Sequence, residues 1–330
     1  MFNDKSILLT GGTGSFGKKF VEIVLKKYKP ARLIVFSRDE FKQFEMQEQF
    51  PATPESPIRY FLGDVRDIDR LYRAFDGVDY VIHAAALKQV PAAEYNPLEF
   101  IKTNILGSAN VVNAAVDRNV KKVIALSTDK ACNPVNLYGA TKLCSDKLFS
   151  AARTYSGTHR TRFGVVRYGN VIGSRGSVIP YFIKMKKTGK IPITDSRMTR
   201  FWITLEQSVC LVLKALETLH GGEIFIPKIP SMSIMDLAKQ IAPDCEYDIV
   251  GIRPGEKLHE SLIAEDSAYR TLEFEDYYII LPYRHQYLGE NRYEGGKLCP
   301  EGFQYRSDTN PDFLDAASIK KLLAPFVNNS

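Results

Sequence analysis

A chain of 330 residues is long enough for a substantial core, either as two domains or as one enlarged α/β domain. Hydrophobic residues at 45% and charged residues at 25% exclude a disordered, low-complexity or fibrous chain. Lys and Arg number 44 against 38 Asp and Glu, a mild +6 spread along the chain. That balance suits phosphate-bearing ligands, and without a basic arm, zinc-finger spacing or aromatic-basic repeat it argues against nucleic acid.

From Ser6 to about Val166, short β-branched or Leu-rich runs alternate with longer amphipathic stretches. This is the rhythm of a parallel sheet covered by helices on both faces. Strands are expected at 7–10, 33–36, 59–62, 80–83, 123–126 and 163–166, and helices at 15–27, 39–50, 67–75, 97–118 and 136–154. The fold class is therefore α/β, a Rossmann-type doubly wound parallel sheet with a smaller C-terminal lobe. Residues 1–168 form the expected dinucleotide-binding domain. Residues 169–330 form mainly a substrate-binding region, with part of the chain returning to the first domain. After Arg167 the texture breaks into Gly/Ser/Pro-interrupted pieces, and no second sheet can be traced. The segment 283–310 reads as long and irregular, a surface loop or a subunit contact.

Five cysteines, at 132, 144, 210, 245 and 299, form no C-x-x-C pair. An odd, scattered set fits a reducing compartment, the cytoplasm, and predicts no metal site. No apolar run approaches the roughly 18–20 residues that span a bilayer. The N-terminal MFNDKSILLTGG enters a strand pattern at once, so neither export nor a membrane association is expected.

Gly11, Thr13, Gly14, Ser15, Phe16 and Gly17 belong to a G-x-x-G-x-x-G run between the first strand and the first helix. There glycines let backbone approach a pyrophosphate at a helix N-terminus. An acidic residue usually ends the second strand of an NAD site and takes the ribose hydroxyls, but Ser37 and Arg38 stand there. Arg38, with Lys42 a turn later, can grip an adenosine 2′-phosphate, which favours NADP. The alternative is that both are solvated charges at a helix start, with Asp39 nearby. Asp64 and Val65 after the third strand, and Ala84 and Ala86 after the fourth, are short residues where the adenine and ribose edges would lie.

Tyr138 and Lys142 stand at i and i+4, so on a helix they share a face and the ammonium can lower the phenol's pKa. With the upstream glycine motif and the strand-end Ser127-Thr128, they resemble the extended short-chain dehydrogenase/reductase superfamily. That resemblance puts Thr128, Tyr138 and Lys142 in the places of its catalytic triad. Asp129 and Lys130 follow at once, where a sugar epimerase needs no further acid/base pair. In nucleotide-sugar 4,6-dehydratases an Asp-Glu dipeptide at this place removes water; here Lys replaces Glu.

The run STDKACNPVNLYGATK is similar to the inverting UDP-N-acetylglucosamine 4,6-dehydratases that open pseudaminic acid synthesis in bacteria. The likeness continues through GGTGSFGK, SRDEFKQ, GDVRD, HAAALKQVPAAEYNP, VRYGNVIGSRGSVIP, MTRFWIT and GIRPGEKLHE, leaving out only about 283–320. It implies that Lys88 and Asn170 lie near cofactor or sugar and Ser177 and Val178 beside the uracil-ribose portion. Arg200 and Arg253 would meet the diphosphate, unless either serves an internal ion pair.

It further implies oxidation at carbon 4 by NADP⁺ with Tyr138 as base, and elimination across carbons 5 and 6. Lys130, neutral, would take the carbon 5 proton while Asp129, protonated, gives one to the leaving hydroxyl. The product would be the 4-keto-6-deoxy sugar UDP-2-acetamido-2,6-dideoxy-β-L-arabino-hexos-4-ulose. The resemblance implies a homo-oligomer, a hexamer among the possibilities. A UDP-sugar 4-epimerase and a non-catalytic NADP-binding scaffold are the rival readings.

Overall fold

The computed structural model describes residues 1–174, 176–283 and 293–327. Six strands stand within two residues of the expected bounds: β1 (Ser6–Thr10), β2 (Arg32–Ser37), β3 (Ile58–Leu62), β4 (Tyr80–His83), β5 (Lys122–Thr128) and β6 (Arg162–Tyr168). All of β1 is buried, as is β2 beyond its first residue. Such unbroken apolar runs suit strands covered on both faces. The intervening helices include α1 (Ser15–Lys27), α2 (Glu40–Gln49) and α3 (Ile68–Ala74). Asp39 and Asp67 cap α2 and α3 by accepting from the backbone N–H of Lys42 and Arg70.

The helix expected over 97–118 is more complex. A short α4 (Val90–Tyr95) precedes it, and the run itself consists of α5 (Pro97–Phe100), a π-helical stretch Ile101–Leu106, and α6 (Gly107–Asp117). The wide π turn carries Asn104 into the interior. There its side chain accepts from the Leu87 N–H and donates to the Leu87 carbonyl, both at 2.9 Å, and to the Thr141 hydroxyl at 3.0 Å. Thr141 lies on α7 (Leu137–Ala151), so the π segment braces that helix.

Beyond β6 come β7 (Asn170–Val171), α8 (Val178–Lys186), β8 (Lys190–Ile193), β9 (Thr199–Ile203), α9 (Leu205–Thr218) and β10 (Ile224–Pro227). Then follow β11 (Ser231–Ser233), α10 (Ile234–Ile241), β12 (Glu246–Ile249), β13 (Ser261–Ile263), β14 (Thr271–Glu273) and β15 (Tyr277–Ile280). The chain closes with β16 (Lys297–Leu298), β17 (Tyr305–Arg306) and α11 (Ala316–Val327). Among the described residues the main sheet has ten strands in the order β16-β14-β15-β10-β6-β5-β4-β1-β2-β3. β10 pairs parallel to β6, and β15, β14 and β16 extend that edge antiparallel.

The smaller lobe is built on β11-β9-β7 and β12-β8, with α8, α10 and α11 closing a second core around Phe182, Trp202, Leu237 and Ile319. Of the segment 283–310 read from the sequence, residues 284–292 lie outside the described residues. Among the described residues no helix is long and apolar enough to cross a membrane, and no cluster of His, Cys, Asp and Glu is placed to hold a metal ion.

The sheet positions the site. Strand order runs outward in opposite directions from β1 and β4, which leaves a crevice beyond their C-terminal ends. In register, Thr10 faces His83 and Thr128 faces Tyr168, so the strand ends that carry the motif residues finish side by side.

Candidate active site

A cleft of about 930 Å³ opens at this crevice, near the upper end for small-molecule sites. On one side Gly11 turns with φ +67, and a Cβ there would stand 2.8 Å from the Ala85 backbone. Gly14 caps α1 and donates to the Gly11 carbonyl at 3.0 Å, while a side chain on Gly17 would overlap the backbone of Gly12. Thr13, Ser15 and Phe16 line the same turn. The hollow tolerates no Cβ and faces a helix N-terminus whose first turn has no acidic residue. These features fit a dinucleotide pyrophosphate.

Further along this wall stand Ser37, Arg38, Lys42, Asp64, Val65, Ala84 and Ala86. Gln43 binds the Ser37 hydroxyl and carbonyl, each at 3.1 Å, which fixes the strand end. Lys42 pairs with Asp39 at 2.7 Å. Arg38 makes a long 3.9 Å contact with Asp64, a carboxylate already gripped by Arg66 at 2.8 Å.

The chemistry-bearing residues meet on the other side. After β5 the chain makes a 3-10 turn over Asp129–Ala131, with the Thr128 hydroxyl accepting from the Lys130 N–H and donating to Asp129 Oδ1 at 2.9 Å. Asn136 caps α7 by accepting from Gly139 N–H at 2.7 Å. A methyl on Gly139 would overlap the Lys130 carbonyl, so this glycine lets α7 lie against the turn. Thr128, Lys130, Tyr138 and Lys142 line the cleft; Asp129 is fully buried beneath it, and its Oδ2 has no hydrogen-bond partner among the described residues.

The charges differ from those expected. Burial pushes Tyr138 up to about 12, with the Lys130 cation and the Thr128 hydroxyl acting against it. Lys142 itself is held below its ordinary value by burial, with Asp146 opposing. Lys130 is thus a cation that acts on the phenol. Lys130 is also not made neutral by its surroundings. Burial would lower it, but the carboxylates of Asp129 at 3.0 Å and Glu260 at 3.4 Å hold it above its ordinary range as an ammonium. Lys88, also on the cleft wall, is pushed down by burial and by facing Lys130.

Beneath these groups lies a buried polar layer that the sequence did not reveal. Asp146, one turn after Lys142, accepts from Ser127 at 2.8 Å and from Arg167 at 3.0 Å. His83 contacts Thr10 at 2.8 Å and Ser108 at 3.4 Å. These bonds tie β1, β4, β5, β6, α6 and α7 together under the cleft.

On the substrate side, Asn170, Ser177 and Val178 line the cleft, and the buried Ser177 hydroxyl at the start of α8 has no hydrogen-bond partner among the described residues. Arg200 and Arg253 are not on the cleft wall. The buried Arg200 guanidinium donates to the carbonyls of Thr199, Lys257 and Leu258 at 2.7, 2.9 and 3.0 Å, respectively, and lies 3.8 Å from Glu260. It serves an internal polar knot, where the resemblance implied a diphosphate contact. Arg253 is exposed and pairs with Glu256 at 2.7 Å. Glu260 was missed as a functional candidate, although it closes the GIRPGEKLHE motif.

A family model described as "Polysaccharide biosynthesis protein" matches residues 7–282. The chain belongs to this family. It is 57% identical to a Campylobacter jejuni protein named UDP-N-acetylglucosamine 4,6-dehydratase (inverting), over 98% of this chain and 97% of that one. It is 43% identical to a Rickettsia conorii protein named UDP-glucose 4-epimerase, over 98% and 96% of the two chains. Among solved structures, Pen from Bacillus thuringiensis superposes with a TM-score of 0.91 at 40% identity, covering 98% of each chain.

Proposed function

We propose that this chain dehydrates UDP-N-acetylglucosamine across carbons 5 and 6, after oxidation at carbon 4, and inverts carbon 5. The observation that carries the reading is the Asp129–Lys130 pair, 3.0 Å apart at the cleft that Tyr138 and Lys142 also line. An epimerase has no use for this second acid/base pair. The family relative named as the inverting dehydratase, 57% identical along nearly the whole chain, supports it.

The cofactor proposed is NADP(H), held by the glycine turn at α1, by Ser37, Arg38 and Lys42, and by Tyr138 and Lys142. When bound, its nicotinamide supplies hydride acceptance and return. The chain's own residues do the proton chemistry. Tyr138 acts as the phenolate, the form that the Lys130 cation and the Thr128 hydroxyl favour against burial, and its oxygen accepts the proton of the carbon 4 hydroxyl. The new ketone acidifies carbon 5.

At rest the elimination pair is an ammonium and a carboxylate. One proton crossing the 3.0 Å contact from Lys130 Nζ to Asp129 Oδ1 turns it into an amine and a carboxylic acid. The amine takes the carbon 5 proton and the acid protonates the departing carbon 6 hydroxyl as water, which restores the ion pair. A solvent-derived proton then returns to carbon 5 on the opposite face, which inverts that centre. The Ser177 hydroxyl offers a buried hydrogen bond to the nucleotide portion.

The test is incubation with UDP-N-acetylglucosamine in deuterated water, followed by NMR and mass spectrometry. The expected product has lost one water and carries solvent deuterium at carbon 5, and Lys130→Ala abolishes its formation. A product of unchanged sugar composition would favour an epimerase.

A further inference from the structure

Glu260 stands just before β13 and is only 2% exposed. A lone carboxylate at such a place is costly unless charges compensate it. Its backbone is pinned: the Glu260 N–H donates to Ser307 Oγ and the Ser307 N–H donates to the Glu260 carbonyl, both at 2.9 Å. Ser307 Oγ in turn donates to the Thr199 carbonyl on β9 at 3.2 Å. From this fixed base, Oε1 reaches Lys130 Nζ at 3.4 Å and Arg200 Nε at 3.8 Å, while Oε2 lies 3.7 Å from Lys257 Nζ.

The cations are not equal competitors for Glu260. Arg200 already donates to three backbone carbonyls, and Lys257 donates to the Cys132 carbonyl at 2.6 Å. Lys130 makes the shortest of the three charge contacts and is the only one of these cations that lines the cleft. Its ammonium is faced by Asp129 from its own turn, Glu260 from the segment before β13 and Arg200 from β9, while Lys257 stands on the other oxygen of Glu260. Lys88 from the loop after β4 and Tyr138 from α7 complete its surroundings.

We propose that Glu260 is a positioning residue of the elimination centre, a second carboxylate that holds the Lys130 nitrogen in place and sets how readily it releases its proton. The proposal rests on the assignment of Lys130 as the carbon 5 acid/base group. Asp129 must exchange a proton with Lys130 in every turnover, whereas Glu260 has no route to the substrate and supplies a constant charge. That constancy keeps the proton on Lys130 until it crosses to Asp129 for elimination. It also ties the pair to the GIRPGEKLHE segment, because Glu260, Lys257 and two of the three carbonyls that hold Arg200 come from it.

The test uses the full chain with cofactor bound, labelled with ¹³C at lysine ε-carbons, with the Lys130 signal assigned by Lys130→Arg. Wild-type Lys130 should stay protonated past about pH 10. In Glu260→Gln, which keeps shape and deletes charge, its midpoint should fall by about one to three pH units. The dehydration rate of that variant should gain a limb that follows the new midpoint, with KM for UDP-N-acetylglucosamine within about twofold, because Glu260 does not line the cleft. Glu260→Asp, which restores the charge, should move midpoint and limb back toward wild type.

A merely structural role would lower the melting temperature of Glu260→Gln without moving the Lys130 midpoint, and that result overturns the proposal. A wild-type midpoint below about pH 9 overturns it even if Glu260→Gln does not fold. The titration needs no substrate. A shifted midpoint in a protein that does not dehydrate UDP-N-acetylglucosamine would therefore refute the proposed function and leave the charge assignment standing. Normal dehydration with an unmoved midpoint would do the reverse.

Discussion

Replacing Arg38 by Ala should weaken NADPH binding selectively, and the structure sets the size of the effect. Arg38 is the freer of the two candidate phosphate-binding cations. Its 3.9 Å contact with Asp64 is long, and Asp64 is already satisfied by Arg66, whereas Lys42 is committed to Asp39 at 2.7 Å. Binding a phosphate at Arg38 therefore breaks little. A charge-assisted hydrogen bond is worth about 1.5–3 kcal/mol when formed in a shielded site. With the Arg38 side chain 54% exposed, water and salt screen it, which leaves about 1–2 kcal/mol. The dissociation constant for NADPH should rise about 5- to 30-fold, while that for NADH, which lacks the phosphate, should change less than about twofold. Isothermal titration with both cofactors at low salt measures the two constants, and repeating it at high salt should narrow the difference. An unchanged NADPH affinity, or equal losses for both cofactors, would show that Arg38 is only a solvated charge beside α2.

Two further perturbations probe the other end of the cleft and the layer under it. Tyr138→Phe removes one oxygen and keeps the ring packed against Phe100 and Ala93; turnover should fall about 10²- to 10⁴-fold with UDP-sugar affinity nearly intact, and a variant with wild-type turnover would unseat Tyr138 as the base. His83 is held down to about 3 by burial, with the Lys142 cation acting in the same direction. It is neutral in the folded chain and gains a proton near its ordinary value once unfolded, so its contribution is complete above about pH 6.5 and declines as pH falls toward 3. Urea unfolding between pH 7 and 5 should lose up to about 1.4 kcal/mol per pH unit from this one group, and His83→Gln should flatten that slope.

The legible part of the molecule was the part whose physics is local. Residues 7–10 and 33–36 read as strands because a parallel sheet covered on both faces needs unbroken apolar runs. The glycine turn reads because its geometry excludes any other residue at Gly11 and Gly17. The smaller lobe escaped because its strands are short and their partners remote. β7 has two residues and pairs with β9, while β8 finds β12 some fifty residues on. The π stretch at Ile101–Leu106 follows no apolar period, and it is secured by Asn104 reaching Leu87 and Thr141 across the interior.

The same division between local and remote explains the charges. Sequence placed Asp129 beside Lys130, and the resemblance implied a neutral amine. Whether a buried lysine is neutral depends on how many carboxylates face it, and that is settled by which distant segments fold over it. Glu260 lies far along the chain, just before β13, yet it sits 3.4 Å from the Lys130 nitrogen. With one carboxylate the pair could rest as amine and acid; with two, the proton belongs to lysine at rest and must cross to Asp129 for elimination to begin. The elimination centre thus includes a residue whose identity was printed in a motif but whose partner only the fold supplies.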